Sequence, residues 1–201
     1  SLKLRDRGAS VRSFGLENGW DFFRQTDRDA FKRLLLAEEP DELWTSPMCG
    51  PWSQLQELNR LTPEAADRLV QLRQWHHDVI LKFTADVYEI QRKAGRHAHF
   101  EHPKTARSWR TRNVQRMKGY DAEFDQCAYG LSLPGMDGYC KKPTRVRTTK
   151  AAMRDGLSAR CTRDHEHVQL MGSIPGGGGS RSKFAENYPP LLADWIAELM
   201  T

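Results

Sequence analysis

The chain has 201 residues, of which 38% are hydrophobic and 28% charged, and its net charge is +5. These values are typical of a globular domain with a buried core and exclude a largely disordered chain. No run of about 18 apolar residues occurs, which excludes a transmembrane helix.

The predicted elements alternate between helix and strand. The first helix spans 27–39, and the apolar run "ELWTS" at 42–46 predicts a short buried strand. Thr62 and Pro63 are typical of a helix start and predict a long helix that stops at Gly95. The later predicted elements are strands at 96–103, 122–130 and 144–149, and helices at 106–119, 151–160 and 189–200.

This alternation predicts an α/β fold, a Rossmann-like sheet with helices on both faces. We expect a single domain over 1–201, in which 148–185 is a short variable region and "GGGGS" at 176–180 a flexible loop. The chain begins with "SLKLRDRG", without an initiator methionine or signal peptide, and we expect it to be a piece of a longer or processed protein.

The stretch "SPMCGPWS" holds a cysteine, Cys49, between Pro47 and Pro51, just after the first predicted strand. Prolines fix φ and remove backbone donors, so this loop is rigid. A rigid loop at the end of a strand suits a nucleophilic thiol, although a small buried hydrophobe fits the same position.

A carboxylate, Glu101 in "HFEHP", lies near the end of the predicted strand 96–103. The functional loops of such a sheet lie at the carboxyl ends of its parallel strands, so we expect Glu101 and Cys49 on one rim. Glu101 is either solvated at the strand end or placed to bond a donor of a ligand.

The segment "KKPTRVRTT" carries four positive charges, and alternation puts Arg145 and Arg147 on one face of a strand. They could bind phosphate or orient a ring carbonyl, or form an ordinary polar strand face. The predicted helix 106–119 is also basic, which suits nucleic-acid phosphates or a solvated surface. Its candidate contacts are Arg107, Arg110, Arg112, Arg116 and Lys118.

The four cysteines have no tight spacing, and without a secretory signal we expect reduced thiols in an intracellular compartment, nucleus or cytoplasm. Cysteine and histidine are the usual zinc ligands. The candidate zinc ligands are Cys140, Cys161, His165 and His167. Their spacing fits no standard zinc finger, and a polar loop is the alternative.

Taken in order, these motifs resemble the cytosine-C5 DNA methyltransferase family. The family's Pro-Pro-Cys-x-x-Phe-Ser is matched by Pro47-Met48-Cys49, then Trp52-Ser53, and its Glu-Asn-Val by Glu101 alone. Its Arg-x-Arg after Tyr-Gly and its Gly-Asn-x-Val-Pro before the final helix are echoed by Tyr129, Gly130, Arg145, Arg147, Asn187 and Pro189. The divergent pattern looks most like methyltransferase-like reading frames of phages and retroelements.

The resemblance implies DNA as partner and S-adenosylmethionine as methyl donor. Cys49 would add to C6 of a flipped cytosine, while Glu101 bonds N3 and the exocyclic amine and Arg145 braces the base or the thiol loop. Arg147 is the other arginine of the matched motif. The implied cofactor-binding positions are Asp21, Pro47 and Asn187.

The family's cofactor loop, Phe-x-Gly-x-Gly, is not in the sequence. We therefore expect either an upstream segment that completes the enzyme or a partial copy. One alternative is a catalytically inactive nucleic-acid-binding module of a larger, retroelement-type polyprotein. Another is a thiol hydrolase that pairs Cys49 with His99 or His102, although the sequence shows no oxyanion hole or orienting acid.

Overall fold

The computed structural model describes residues 2–54, 56 and 61–201; the part of the loop after Cys49 at 55 and 57–60 lies outside them. The helices are α1 (Leu2–Asp6), α2 (Gln25–Glu38), α3 (Pro63–His76), α4 (Lys82–Lys93), α5 (Arg112–Arg116), α6 (Ala151–Gly156), α7 (Arg181–Phe184) and α8 (Pro190–Met200). The strands are β1 (Glu42–Thr45), β2 (His97–Pro103), β3 (Tyr120–Asp125) and β4 (Pro143–Thr148).

The four strands form one open, mixed sheet in the order β1-β2-β4-β3. β1 runs parallel to β2, with Glu42 opposite His97 and Thr45 opposite Phe100. The predicted α/β class is therefore confirmed, and a strand overlaps each of the four predicted strands. The predicted strand 122–130 is too long, because β3 ends at Asp125 and a 3-10 turn follows at Gln126–Tyr129.

The chain divides into two compact units. The larger unit contains Arg12–Asp121 and Val146–Ala151, and the smaller unit contains Ser1–Val11, Ala122–Arg145 and Ala152–Thr201. β3 and β4 each contribute residues to both units.

The core of the larger unit lies between β2 and the helices that precede it. Alternate β2 residues, Ala98 and Phe100, are fully buried with Leu81 and Tyr88 and with Trp109. A second apolar cluster joins β1 to α2 and α4; its buried members are Phe31, Leu35, Leu43, Phe83 and Val87. Burial of such side chains stabilises the sheet by about 1.5–3 kcal/mol each.

The predicted long helix is present, but it is not regular throughout. Thr62 caps its start as predicted, since its side-chain oxygen accepts a hydrogen bond from the Ala65 amide at 3.2 Å. Between α3 and α4 the backbone makes a π turn, His77–Leu81. Asn113 donates from Nδ2 to the carbonyl oxygen of His77 at 2.9 Å, which fastens this turn to α5.

The predicted continuous basic helix over 106–119 is wrong. A 3-10 turn at Arg107–Arg110 is followed by extended backbone at Thr111 (φ −79°, ψ 149°), and α5 starts only at Arg112. Thr111 is an N-cap residue whose hydroxyl accepts from the Val114 amide, so the same residue that starts α5 interrupts the longer helix.

The smaller unit has its own apolar cluster, formed by Leu131, Leu133, Cys140, Ile174 and Ala185. The glycine stretch beside Ile174 folds into a closed turn, in which the Ile174 amide donates to the carbonyl of Gly179 at 2.8 Å. None of the described helices is both long and apolar enough to cross a membrane.

Candidate functional site

The cysteine loop, residues 46–53, follows β1 in the larger unit. Cys49 is half-buried and begins a 3-10 turn at Gly50–Trp52, in which the Trp52 amide donates to the Cys49 carbonyl at 2.9 Å. Pro51 and Trp52 are buried, whereas Met48 is 57% exposed. Pro51 and Trp52 thus anchor the loop on the C-terminal side of Cys49, while the Met48 side chain on the other side faces solvent.

Several hydrogen bonds attach the cysteine loop to its surroundings, and some of them reach α3 and β2. The Trp52 indole donates from Nε1 to Nδ1 of His76 at 2.9 Å, and Arg73 donates from Nε to the Pro51 carbonyl at 2.7 Å. On the other side of Cys49, Nε2 of His102 lies 3.1 Å from the Pro47 carbonyl. The loop is therefore fastened to α3 and to β2 before any ligand is bound.

His76 acts as a neutral acceptor. Burial lowers the pKa of His76 to about 4, so the ring is uncharged near neutral pH. Because Nδ1 accepts the Trp52 proton, the ring's own proton is on Nε2.

Both ring nitrogens of His102 make hydrogen bonds within the fold. A carbonyl only accepts, so Nε2 carries the proton that bonds Pro47, and Nδ1 accepts from Ser108 Oγ at 2.5 Å. His99 is likewise held between Glu42, at 2.6 Å from Nε2, and Thr148, at 2.8 Å from Nδ1. Neither histidine has a ring nitrogen left to take a proton from Cys49, which removes the base that a thiol hydrolase needs.

Glu101 lies in β2 and is only 7% exposed. The parallel register that puts Thr45 opposite Phe100 places Glu101 just beyond the end of β1, where the cysteine loop begins. The expectation that the two motifs share the carboxyl edge of the sheet is therefore met by the backbone. Its strand neighbour His102 holds the loop itself.

Arg145 and Arg147 share one face of β4, as predicted, since Thr144, Val146 and Thr148 between and beside them are fully buried. Each arginine pairs with an acid of β3. Arg145 bonds Glu123 at 2.5 Å and Arg147 bonds Asp121 at 2.7 Å. Both guanidinium groups thus already have carboxylate partners within the fold.

Two of the three implied cofactor positions serve local turns, and the third, Pro47, contacts β2. Asp21 accepts from the Phe23 amide at 3.0 Å, and its other oxygen lies 3.4 Å from Arg24. Pro47 gives its carbonyl to His102, and the exposed Asn187 donates to the Phe184 carbonyl at 3.3 Å. These contacts show the present partners of the three positions, and their binding of S-adenosylmethionine stays a prediction.

Four of the five basic candidates in the segment 107–118 are exposed: Arg107, Arg110, Arg112 and Lys118. Arg116 is different, because it pairs with Asp86 and donates to the Lys82 carbonyl at 3.1 Å. Although burial raises the pKa of Asp86, its bonds to Arg116 and Lys32 outweigh that effect and lower it.

A second group of reactive side chains lies in the smaller unit. The structure brings Cys161, His165 and His167 together, and the fourth member is Cys127. Cys140, which the sequence had grouped with them, is fully buried in the apolar cluster. Sequence spacing gave no sign of Cys127, because 33 residues separate it from Cys161.

Comparisons with known proteins give no relative for this chain: no family model matches it, and no curated protein or solved structure is significantly similar.

Proposed function

We propose that the cysteine loop and Glu101 form a thiol-addition site for the cytosine ring of DNA, as in the cytosine-C5 methyltransferases that the sequence resembles. The observation that supports this most is the parallel pairing of β1 with β2, which puts the Cys49 loop and Glu101 at one sheet edge. The proposal includes the assignment of the four-stranded sheet to a Rossmann-like fold.

The chemistry follows from the two side chains. The Cys49 thiolate forms a bond to C6 of the ring, and the displaced electron pair moves towards N3. Glu101, in its protonated form, donates that proton to N3 and so stabilises the charge that develops in the transition state.

The adduct then returns to cytosine without a methyl donor. C5 takes a proton from water, the original C5 hydrogen leaves as a proton, and N3 returns its proton to Glu101 as the Cys49–C6 bond breaks to restore the thiolate. In the family S-adenosylmethionine supplies a methyl group to C5, and this exchange does not require that donor. Arg145 and Arg147, which are paired with β3 acids, are given no role in the addition.

This cycle is testable on the chain as it stands. We expect the protein to wash deuterium out of C5-deuterated cytosine in a single-stranded oligonucleotide, measured by mass spectrometry. A single strand avoids the cost of flipping the base. Cys49→Ser should abolish the exchange, and Glu101→Gln should slow it by roughly 100-fold or more, as removal of a transition-state donor does.

The matched control is Cys140→Ala, which changes a cysteine of the smaller unit outside the group of Cys127, Cys161, His165 and His167 and should leave the exchange rate unchanged. Exchange that survives Cys49→Ser, or a wild-type protein that binds the oligonucleotide without exchange, would overturn the thiol-addition proposal.

A nucleic-acid-binding module without catalysis is the second candidate. The observation that favours it is the exposed basic segment, in which Arg110 and Arg112 flank the break at Thr111. Phosphate contacts release counterions, so affinity for any duplex sequence should fall as salt rises.

The double variant Arg110→Ala/Arg112→Ala should weaken binding and reduce the salt slope by about 2. The control Arg33→Ala/Lys93→Ala also removes two exposed charges from the larger unit and should change neither quantity beyond the net-charge effect. A slope that is equal in both double variants would count against the segment as the binding surface.

A further inference from the structure

Four potential metal ligands meet in the smaller unit. One ligand atom from each of Cys127, Cys161, His165 and His167 lies within 4.8 Å of all the others. Cys127 is buried, Cys161 and His165 are half-buried, and His167 is exposed. The group therefore lies at the surface with one buried member beneath it.

The spacing of these atoms is that of a coordination shell. Nε2 of His165 and Nε2 of His167 are 3.1 Å apart, and the Cys161 sulfur is 3.6 Å and 3.3 Å from them. A tetrahedron with ordinary Zn–N and Zn–S bonds has edges of about 3.4 Å between nitrogens and about 3.6 Å between nitrogen and sulfur. A chain of hydrogen bonds does not require all three atoms to be mutually close, whereas ligands around one centre do.

A second, independent feature fixes the imidazole of His165. Its Nδ1 lies 2.9 Å from Oδ1 of Asp164, and that carboxylate oxygen also accepts from Thr162 Oγ1 at 2.6 Å. A carboxylate only accepts, so the His165 proton is on Nδ1 and the lone pair on Nε2 points at the other three ligand atoms. Carboxylate–histidine pairs of this kind orient the ligands of zinc sites.

The backbone positions the two cysteines independently of any ion. The Asp125 amide donates to the Ala159 carbonyl at 3.0 Å, and the Cys161 amide donates to Asp125 Oδ2 at 3.0 Å. Asp125 ends β3, two residues before Cys127, so these bonds bring the two sulfurs together.

The histidines are positioned by a short paired segment. The Tyr139 amide donates to the Glu166 carbonyl at 3.0 Å, the Val168 amide donates to the Tyr139 carbonyl at 2.8 Å, and the Tyr139 ring packs edge-on against His165. Successive side chains of an extended segment point to opposite sides. Tyr139 faces the histidines, so its neighbour Cys140 faces the apolar cluster instead.

We propose that Cys127, Cys161, His165 and His167 bind one zinc ion. Two thiolates and two imidazoles are a zinc ligand set, and four protein ligands close the coordination shell, which is the pattern of a structural site. Binding expels the two thiol protons to solvent, because thiolates are the ligands.

The role of this zinc is to tie the irregular segment 157–170 to the end of β3. That segment contains no helix or strand of its own in the structure beyond the single bridge at His167. A metal that joins three residues of this segment to Cys127 stabilises the folded state, since the unfolded chain has no preformed site.

The test is metal content and affinity of the whole chain under reducing conditions. We expect one zinc per chain by mass spectrometry of the purified protein. Cobalt(II) substituted for zinc should give the visible spectrum of a tetrahedral site and a thiolate-to-cobalt charge-transfer band. Cys127→Ala should raise the zinc Kd by more than 100-fold, whereas Asp164→Ala, which removes only the orienting carboxylate, should raise it by roughly 10-fold.

The matched control is Cys140→Ala, because both cysteines are almost fully buried but only Cys127 is in the cluster. Cys140→Ala should bind zinc as the wild type does. If Cys127→Ala does not fold, His167→Ala replaces it, since an exposed side chain can be removed without disturbing the core.

Three results would overturn the proposal. The first is reduced wild-type protein that takes up no stoichiometric zinc in competition with a chelating dye. The second is affinity that depends on Cys140 and not on the cluster residues. The third is a Cys127–Cys161 disulfide that forms in place of metal binding in protein purified under reducing conditions.

Discussion

The two cysteine sites of this protein are held in different ways. Cys49 is the one cysteine of the larger unit, and the hydrogen bonds that hold its loop run through backbone carbonyls and the Trp52 indole. In the smaller unit the Cys161 sulfur itself contacts two imidazoles. The cysteine loop is therefore positioned through backbone carbonyls and a buried indole, whereas the Cys161 thiol is positioned among the other ligands of the proposed zinc.

The charged side chains show the same contrast. The exposed arginines of the segment 107–112 face solvent, while Arg145 and Arg147 of β4 are paired with acids of β3. A positive charge that the fold has already neutralised is a poor candidate for binding a ligand, because breaking a partly buried pair is costly.

The largest effect should come from removing the zinc. We expect a chelator to lower the melting temperature seen by calorimetry by roughly 10 °C or more, since structural zinc contributes several kcal/mol to folding. Amide exchange should accelerate in 157–170, while the rate at which Cys49 reacts with a thiol reagent should stay the same.

Cys161→Ser provides the control for the chelator, because a chain that no longer binds zinc tightly should not respond to chelation. An equal melting temperature with and without chelator in the wild type would show that the two sites do not differ in the way proposed.

Acid should act on the cysteine loop through His76. The pKa of His76 is about 4 in the folded chain against 6.5 ordinarily, so between these values the unfolded chain binds more protons. The contribution of neutral His76 to the free energy of unfolding is therefore fully present above pH 6.5. It falls by up to about 3 kcal/mol as the pH drops towards 4. Urea unfolding at a series of pH values measures this.

Burial also lowers the pKa of His99, although its bond to Glu42 opposes the change, so His99 contributes with the same sign. His76→Gln isolates the part due to His76, because an amide oxygen can still accept from Trp52 but does not titrate. A variant whose pH dependence between 4 and 6.5 equals that of the wild type would contradict the assignment.

A smaller effect is expected from Trp52→Phe, which keeps the buried ring but leaves Nδ1 of His76 without its donor. The loss should be about 1–3 kcal/mol in urea unfolding, the cost of an unsatisfied buried acceptor plus a small cavity. Trp75→Phe is the control, because Trp75 is 49% exposed and stacks on Phe23 at 4.3 Å. Equal losses in both variants would mean that the indole–imidazole bond does not anchor the loop.

Local signals account for the parts of the fold that the sequence predicts well. The Thr62 cap, the apolar run of β1 and the prolines around Cys49 act within a few residues, so a pattern in the sequence is enough to locate them. The parallel edge shared by the cysteine loop and Glu101 follows from general rules for α/β sheets.

Non-local contacts explain the misses. Whether Cys127 or Cys140 joins the cluster depends on which way a side chain points from an extended segment paired at Tyr139 and His167, and spacing does not encode that. The acids that pair with Arg145 and Arg147 come from another strand. The break at Thr111 depends on an N-cap hydrogen bond, which the average helix propensity of the segment does not show.

The number of residues between α3 and α4, where the backbone makes the π turn at His77–Leu81, decides which faces of the two helices meet their partners. A π turn holds one residue more than the α-helical repeat, and each residue rotates a helix by about 100°. That extra residue lets His76 meet Trp52 on one side of the turn while Leu81 and Tyr88 meet β2 on the other. A deletion of one residue in the π turn would leave the other side chains unchanged. It would still rotate one of these helix faces away from its partner. At this point the chain is sensitive to its residue count in a way that no substitution scan would detect.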